Sequence, residues 1–256
     1  MKAFTRSVSP RLSECALTHL DRIPIDAGKA AEQHAGYERA LAGAGFDVIR
    51  LPDLPDDPDG VFVEDTALLL DGDAIVTRPG VASRAGETVS TAAGMAGHFN
   101  LHRIDSGFVD GGDVLRIGRR LYVGLSTRTD AGGIRALAEL VAPLEFTVVR
   151  SGLRDCLHLK TGATFAGPDA NGTPVLLYNE SAIDPAQFAG VEPMAVLEPA
   201  AANSLRMGNS LILPAGNPRT ADALRNRGFE VVEVDVSELQ KAEAGVTCMS
   251  LIDEQP

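Results

Sequence analysis

The chain has 256 residues, 45% of them hydrophobic, which is enough for one domain with a sizeable core. Its 23 basic and 35 acidic residues give a formal charge of −12 without any basic cluster, so the composition argues against binding to nucleic acid or to anionic membranes. Residues 1–20 lack an apolar signal core, no run reaches the ~18 apolar residues of a membrane span, and the three cysteines form no paired motif, so we predict a cytoplasmic protein with reduced thiols.

The N-terminal part alternates between helical and strand-forming segments. Gly28–Gly43 is a predicted helix, since Ala, Glu, Gln and Arg predominate and Asp26 lies near its start. Phe46–Leu51 follows as a predicted strand, and Pro52–Pro58, rich in Asp and Pro, as a loop. The same alternation continues along the chain and favours the α/β class.

Pairs of short strands joined by a turn recur along the sequence, which is the pattern of β-hairpins. Predicted helices separate most of the pairs, at Ser83–Ala96, Thr129–Val141 and Pro218–Gly228. The predicted hairpins are Val61–Leu70 with Ala74–Thr77, Asp113–Ile117 with Leu121–Gly124, Thr161–Phe165 with Pro174–Tyr178, and Asn203–Arg206 with Ser210–Pro214, followed by a last strand at Thr247–Ile252.

Equivalent positions in these units recur at a nearly constant spacing. Intervals of 48, 48, 42 and 45 residues separate the successive markers Asp65, Asp113, Thr161, Asn203 and Cys248. A period of about 45 residues indicates a radial array of β-rich modules, although an ordinary α/β sheet with evenly spaced elements also fits it. In a radial array, polar residues that are distant in sequence would meet near the axis.

Two side chains are candidates for nucleophilic and acid–base chemistry. Cys248 precedes the last apolar run, and is either a nucleophile activated by a nearby base or a buried structural cysteine. His158 is set among apolar neighbours in a predicted strand, whereas the other four histidines, His34 among them, are expected at the surface. Imidazole suits proton transfer because its unperturbed pKa is about 6.5. A hydrogen-bonded core histidine is the alternative.

Two groups of carboxylates are further candidates. Asp110 and Asp113 flank a Gly-Gly pair, which permits close approach of a ligand or forms a plain turn. Glu64 and Asp65 interrupt the predicted strand Val61–Leu70, and one of them should point into the protein because successive strand side chains face opposite ways. A buried carboxylate needs a cation, which a guanidinium substrate or an internal Arg or Lys would supply.

Several common binding motifs are missing from the sequence. It contains no cysteine pair at zinc spacing, no calcium loop, no Walker loop and no Gly-x-Gly-x-x-Gly. The Gly-x-Ser-x-Gly motif of α/β-hydrolases is missing as well. We therefore expect no metal and no organic cofactor.

Taken together, the candidate residues resemble the dimethylarginine dimethylaminohydrolase family, within the guanidino-group-modifying superfamily of arginine deiminases and amidinotransferases. The resemblance extends from about Leu17 to Ile252. It rests on six motifs in chain order: Phe62-Val63-Glu64-Asp65, Thr77-Arg78-Pro79-Gly80, Asp110-Gly111-Gly112-Asp113-Val114-Leu115, Val123-Gly124-Leu125-Ser126-x-Arg128-Thr129, Leu157-His158-Leu159-Lys160 and Thr247-Cys248-x-Ser250. It implies an α/β fold, a five-bladed α/β propeller of ββαβ modules with pseudo-fivefold symmetry, in one catalytic domain of residues 1–256.

The resemblance also implies a role for each site residue. Cys248 would be the nucleophile, His158 the general acid/base, and Asp110 the residue that orients His158 and the guanidinium. Some relatives have Glu in place of Asp110, whose side chain is one methylene shorter. The implied substrate contacts are Glu64 and Asp65 to the guanidinium nitrogens, Arg84 and Arg128 to the α-carboxylate, and Asp59 with backbone near Leu17 and Ala242 to the α-amino group.

These roles imply a hydrolase that converts Nω,Nω-dimethyl-L-arginine, and also Nω-methyl-L-arginine, to L-citrulline and the methylated amine. The reaction would pass through a covalent S-alkylthiouronium on Cys248. An arginine deiminase-type hydrolase of unmethylated arginine and a non-catalytic guanidino-compound binder stay as alternatives. The implied partner is a small methylated arginine, with no nucleic acid, membrane or metal. A homodimer is left open, because the sequence does not indicate the oligomeric state.

Overall fold

The computed structural model describes residues 1–208 and 210–253 of the chain. Within these residues, fifteen strands form five three-stranded sheets, together with six α-helices and short 3-10 turns. The strands are β1 (Lys2–Thr5), β2 (Asp47–Arg50), β3 (Ala67–Leu70), β4 (Asp73–Val76), β5 (Asn100–Arg103), β6 (Val114–Ile117), β7 (Arg120–Gly124), β8 (Thr147–Ser151), β9 (Ala163–Pro168), β10 (Pro174–Tyr178), β11 (Glu192–Ala195), β12 (Leu205–Met207), β13 (Ser210–Pro214), β14 (Glu230–Val234) and β15 (Leu251–Asp253). The helices are α1 (Ala27–Gly43), α2 (Glu87–Met95), α3 (Ala131–Val141), α4 (Leu159–Gly162), α5 (Pro218–Asn226) and α6 (Ser237–Gln240).

Each sheet has the same topology and forms one blade of a propeller. In four blades, two consecutive strands form an antiparallel hairpin, and a third strand, reached by a crossover, pairs in parallel with the second: β3-β4-β5, β6-β7-β8, β9-β10-β11 and β12-β13-β14. The fifth blade, β15-β1-β2, combines both ends of the described chain, because β15 pairs with β1 in antiparallel register from Lys2↔Asp253 to Phe4↔Leu251. The predicted five-bladed α/β propeller with pseudo-fivefold arrangement is confirmed.

Local sequence explains where several elements begin and end. The Asp26 carboxylate accepts a hydrogen bond from Lys29 N–H and caps α1, a contact that contributes about 1 kcal/mol. Asp130 caps α3 in the same way. The turn between β3 and β4 consists of Asp71 and Gly72, which both have positive φ, at 52° and 94°. Such a turn matches the twist of a tight hairpin.

The apolar core lies between the blades and the crossover helices. On α3, Ile134, Leu137 and Val141 occupy one face and pack in one cluster with Leu121 and Val123 of β7. Each fully buried side chain of this kind contributes about 1.5–3 kcal/mol relative to exposure. No helix in the described part of the chain is long and apolar enough to cross a membrane.

Three predicted strands differ from the structure at their start. The segment predicted as a strand from Val61 begins instead with a 3-10 turn, Val63–Thr66, so strand alternation does not apply and both Glu64 and Asp65 are buried. His158 immediately precedes α4 and does not lie in a strand. Cys248 lies in a turn before β15, which begins only at Leu251. At all three places, polar residues bond to a neighbouring blade and so cannot join a ladder within their own sheet.

Candidate active site

The segments that precede the first strand of each blade contact one another in a ring. We call them the entry segments: residues 62–66, 110–113, 158–162, 199–204 and 245–250. Five hydrogen bonds of 3.0–3.1 Å link them in order: Gly112 N–H to Asp65 Oδ1, Leu159 N–H to Asp113 Oδ1, Asn203 Nδ2 to Lys160 O, Thr247 N–H to Asn203 Oδ1, and Glu64 N–H to Cys248 O. This ring brings together side chains from Glu64 to Cys248.

His158 is buried between two carboxylates. Its Nε2 lies 3.1 Å from Asp110 Oδ2, and its Nδ1 lies 3.8 Å from Asp65 Oδ1. The other Asp110 oxygen accepts a hydrogen bond from Gly80 N–H at 2.9 Å. Burial lowers the pKa of His158, but Asp65, Asp110 and Asp113 outweigh this effect and raise it to about 9. His158 is therefore an imidazolium at neutral pH.

Asp65 is held by Arg84 on the side away from His158. Arg84 Nη1 lies 2.5 Å from Asp65 Oδ2, while its Nε and Nη2 donate to the Glu87 carboxylate and Nη2 also to Phe62 O. Burial raises the pKa of Asp65, but the His158 and Arg84 charges lower it to about 2. Asp65 is ionised, and Arg84 uses four of its five N–H groups inside the protein.

Glu64 faces a different set of partners from Asp65. Its Oε1 lies 2.6 Å from Lys160 Nζ, and its Oε2 accepts a hydrogen bond from Thr247 Oγ1 at 2.8 Å. Burial raises the pKa of Glu64, and the nearby Lys160 only partly offsets this. Binding of a guanidinium by the Glu64 side chain would require it to give up one of these partners.

Cys248 is surrounded by negative charge. Its Sγ accepts a hydrogen bond from Gly245 N–H at 3.3 Å. Burial raises the pKa of the Cys248 thiol, and the Glu64 and Asp65 carboxylates raise it further, whereas Gly245 and Lys160 lower it less strongly. The thiol is therefore neutral at rest, and a cation placed beside it would favour the thiolate.

Two of the cavities among the described residues have linings with no residue in common. The larger, of about 670 Å³, is lined by the first strands of the blades and by Glu64, Lys160 and Thr247. The smaller, of about 20 Å³, is lined by the His158 imidazole and the Cys248 thiol, among other side chains. Seven of the ten predicted site residues line the smaller cavity: Asp59, Asp65, Arg84, Arg128, His158, Ala242 and Cys248.

The remaining three predicted residues lie close by. Asp110 is fully buried behind His158, and Leu17 follows Ala16, which lines the smaller cavity. Glu64 lines the larger cavity instead. At the smaller cavity, Asp59 accepts the Ala16 N–H at 3.1 Å, and burial raises the pKa of its carboxyl group.

Residues 16–20 lie beside the smaller cavity, which Ala16 lines together with Glu243 and Arg128. The N–H groups of Thr18, His19 and Leu20 donate to the carboxylate of Glu243 at 2.5–3.0 Å. Thr18 Oγ1 also accepts a hydrogen bond from Arg128 Nη2 at 2.8 Å. A cavity of about 20 Å³ holds roughly one water molecule, so its lining has to rearrange before an amino acid can enter.

Asp65, Asp110 and His158 offer three ligand atoms within 4.8 Å of one another, a spacing that would suit a metal ion. The contacts of His158 with Asp110 and Asp65 account for their closeness, and Arg84, Gly112 and Gly80 bind the other carboxylate oxygens or share them.

Sequence reasoning gave no role to several residues that build the site. Lys160 belongs to the motif Leu157-His158-Leu159-Lys160, but nothing in the sequence predicts its ion pair with Glu64. Asn203 served only as a spacing marker, and Thr247 only as the neighbour of Cys248. Glu243 immediately follows Ala242, but its partners near Thr18 are distant in sequence, so no local signal indicates the contact.

Comparisons with known proteins extend over nearly the whole chain. No family model matches it. It is 39% identical over 253 residues to an N(G),N(G)-dimethylarginine dimethylaminohydrolase of Streptomyces coelicolor, covering 98% of this chain and 96% of that protein. A protein of the same name from Pseudomonas aeruginosa is 38% identical over 234 residues, or 88% and 89% of the two chains. A solved structure of the Pseudomonas aeruginosa protein, a mutant complexed with citrulline, superposes with a TM-score of 0.88 at 34% identity over 98% of each chain.

Proposed function

Because this chain belongs to the dimethylarginine dimethylaminohydrolase family, we propose that it hydrolyses Nω,Nω-dimethyl-L-arginine, and also Nω-methyl-L-arginine, to L-citrulline and the methylated amine. The single observation that carries the proposal is the presence of a thiol, an imidazolium and an ionised carboxylate in one small cavity, those of Cys248, His158 and Asp65. These groups suit attack on a guanidinium carbon and protonation of the amine that leaves.

The charges of the cavity support a definite orientation of the substrate. Asp65 would bind the guanidinium nitrogens, since it is ionised and lies beside His158. Arg128 and the remaining N–H of Arg84 would bind the α-carboxylate. Asp59, with carbonyl groups near Leu17 and Ala242, would bind the α-amino group. Glu64 is held by Lys160 and Thr247, so we assign it an electrostatic effect on the Cys248 thiol in place of direct contact.

The first half of the reaction would form a covalent adduct. The bound guanidinium lowers the pKa of the Cys248 thiol, which loses its proton to solvent, and the thiolate attacks the guanidinium carbon. His158, protonated at neutral pH, donates its proton to the departing nitrogen, and Asp110 keeps the ring in position. The C–N bond breaks, dimethylamine leaves, and an S-alkylthiouronium remains on Cys248.

The second half would use the same histidine as a base. Neutral His158 removes a proton from a water molecule, and the resulting hydroxide adds to the thiouronium carbon. The C–S bond then breaks, the hydroxyl proton of the tetrahedral adduct passes to the Cys248 sulfur, and citrulline leaves with the thiol restored. His158 recovers its imidazolium form, so one residue acts first as acid and then as base.

We further propose that residues 1–256 act as one catalytic domain, of which 209 and 254–256 lie outside the described residues. The site draws on residues from Ala16 to Cys248, and the ring of blades is completed by pairing of β15 with β1. The three cysteines are free, which favours a reducing, cytoplasmic location.

The test is citrulline release by the purified protein from asymmetric dimethylarginine and from arginine, with Cys248→Ser as the inactive control. We expect a much higher kcat/KM for the methylated substrate and no turnover by the control. Cys156→Ser is the matched control, because burial raises the pKa of Cys156 to about 11 and it does not line the smaller cavity. Preference for arginine would instead support a deiminase, and binding of both compounds without citrulline a guanidino-compound binder.

A further inference from the structure

Asn203 is a buried amide that lines neither cavity but joins two entry segments. Only 5% of it is exposed. Its Nδ2 donates to Lys160 O and to Thr247 Oγ1, and its Oδ1 accepts from Thr247 N–H, each at 3.0 Å. These three contacts require a side chain that donates two hydrogen bonds and accepts one. An amide meets this requirement, whereas an ionised carboxylate cannot donate and a hydroxyl donates only once.

The two residues that Asn203 binds lie close in sequence to His158 and to Cys248. Lys160 is two positions after His158, and Thr247 immediately precedes Cys248. Thr247 Oγ1 in turn donates to Glu64 at 2.8 Å. Asn203 therefore connects the segment of the acid–base residue with the segment of the nucleophile and with the carboxylate that raises the pKa of the thiol.

Gly245 contacts both Asn203 and the Cys248 thiol, and so links them by a second, independent route. A Cβ atom at Gly245 would lie 2.2 Å from Asn203 Oδ1, so the Gly245 backbone packs directly on the amide. The Gly245 N–H is also the donor to Cys248 Sγ, at 3.3 Å. Asn203 thus supports the turn that holds Sγ through two of its residues, Gly245 and Thr247. It does not line the cavity in which substrate would bind.

We propose that Asn203 is a positioning residue, which fixes Cys248 Sγ relative to His158 and to the carbon under attack. The proposal rests on the function proposed above and deepens it. A displacement of about 1 Å between reacting atoms can cost on the order of 100-fold in rate. Loss of the Asn203 amide removes two hydrogen bonds to this turn and one to Lys160 O in the His158 segment, so it should impair the chemical step and leave substrate binding largely intact.

The experiment compares Asn203→Ala with Ser204→Ala. Ser204 is adjacent and buried, but its hydroxyl pairs with Thr164 and it lines the larger cavity. We expect Asn203→Ala to lower kcat by about 10- to 100-fold with KM within about threefold, and Ser204→Ala to stay within about twofold of the wild type in both. If the alanine variant does not fold, Asn203→Asp replaces it, since that change keeps the acceptor for Thr247 N–H and removes both Nδ2 donations.

A second readout needs no substrate. Cys248 is alkylated with iodoacetamide across a range of pH and followed by peptide mass. Displacement of the Gly245 donor and of Glu64 should shift the pH profile of alkylation in the Asn203 variant, but not in Ser204→Ala. Profiles that coincide with the wild type, or a kcat that falls no further than in Ser204→Ala, would refute the proposal. Absence of citrulline from the wild type would refute the function, and the alkylation profiles would still decide the role of Asn203.

Discussion

The ammonium group of Lys160 lies 2.6 Å from Oε1 of Glu64, and both residues line the larger cavity, whereas Cys248 lines the smaller one. Glu64 N–H donates to Cys248 O, so the ion pair is attached directly to the segment that holds Cys248. It both stabilises the centre of the propeller and sets the charge beside the thiol, because Glu64 raises the pKa of Cys248 and Lys160 lowers it.

Lys160→Met should destabilise the protein by about 3 kcal/mol, because it leaves the buried Glu64 carboxylate without its cation. The double variant Lys160→Met/Glu64→Gln should recover much of the loss, since no unpaired charge remains. Urea unfolding measures both. Arg225→Met is the control, because its pair with Glu233 is partly exposed and screened by solvent, so its loss should change the unfolding free energy little. Equal losses in the Lys160 and Arg225 variants would contradict this assignment.

His158 should make stability fall as pH rises. Its pKa is raised to about 9 in the folded protein, above the ordinary value of about 6.5. The contribution is therefore fully present below about pH 6.5 and is lost as pH rises through about 9, with a slope of at most about 1.4 kcal/mol per pH unit. The measurement is the unfolding free energy of the wild type minus that of His158→Gln between pH 6 and 10. A difference that does not decrease over this interval would show that the charge of His158 is not held as described.

Replacement of Arg84 should mainly reduce stability, whereas replacement of Arg128 should mainly raise KM, although both residues are predicted to bind the α-carboxylate. Arg84→Ala leaves Asp65 and Glu87 buried without their cation, and should cost about 3–5 kcal/mol of stability. Arg128 contacts Thr18 and, at 3.9 Å, Asp110, so Arg128→Ala should cost less stability and mainly raise KM, by about tenfold. Thermal unfolding and steady-state kinetics separate the two effects. An Arg128 variant with normal KM and reduced kcat would argue against a carboxylate clamp.

Glu243→Gln should loosen residues 16–20 beside the smaller cavity. The N–H groups of Thr18, His19 and Leu20 all donate to Oε1 of the carboxylate, and an amide oxygen without the negative charge accepts weaker hydrogen bonds. Hydrogen exchange of these three amides should become faster, and KM should rise by about threefold or more while kcat changes less. Glu243 has φ of +60°, so Glu243→Gly tests whether the backbone alone holds the turn. Unchanged exchange in the Gln variant would mean that other contacts hold the segment in place.

The sequence predicted the repeating hairpins well because their signals are local. Asp71-Gly72 forms a tight turn between β3 and β4 as predicted, and the 48-residue interval from Asp65 to Asp113 corresponds to the step from one blade to the next. The third strand of a blade is harder to predict from sequence. Strands β5 and β8, for example, are short and partly exposed, so their residues show no clear alternation between apolar and polar side chains.

His34 shows how a local signal was misjudged. It was expected at the surface, but it is buried on the inner face of α1 beside Tyr37, and burial lowers its pKa to about 4. Its spacing from Ala30, Tyr37 and Leu41 follows the apolar stripe of the helix, which is the pattern that could have indicated burial.

Contacts between blades had no comparable signal. Asn203 and Thr247 meet only because the entry segments of two blades lie side by side, and Lys160 meets Glu64 across the ring for the same reason. The identities of Cys248, His158 and Asp110 followed from resemblance to a family, whereas their distances followed only from the packing of five sheets around one axis.

Pairing of β15 with β1 also affects how the protein is made. The middle strand of that blade, Lys2–Thr5, is synthesised about 250 residues before one of its partners, Leu251–Asp253. Contacts of such long range form slowly and late in folding. Cys248 is translated just before this partner strand, so the strands of the other four blades are all synthesised before Cys248. The order of synthesis thus places Cys248 and the strand that closes the ring at the same stage of translation.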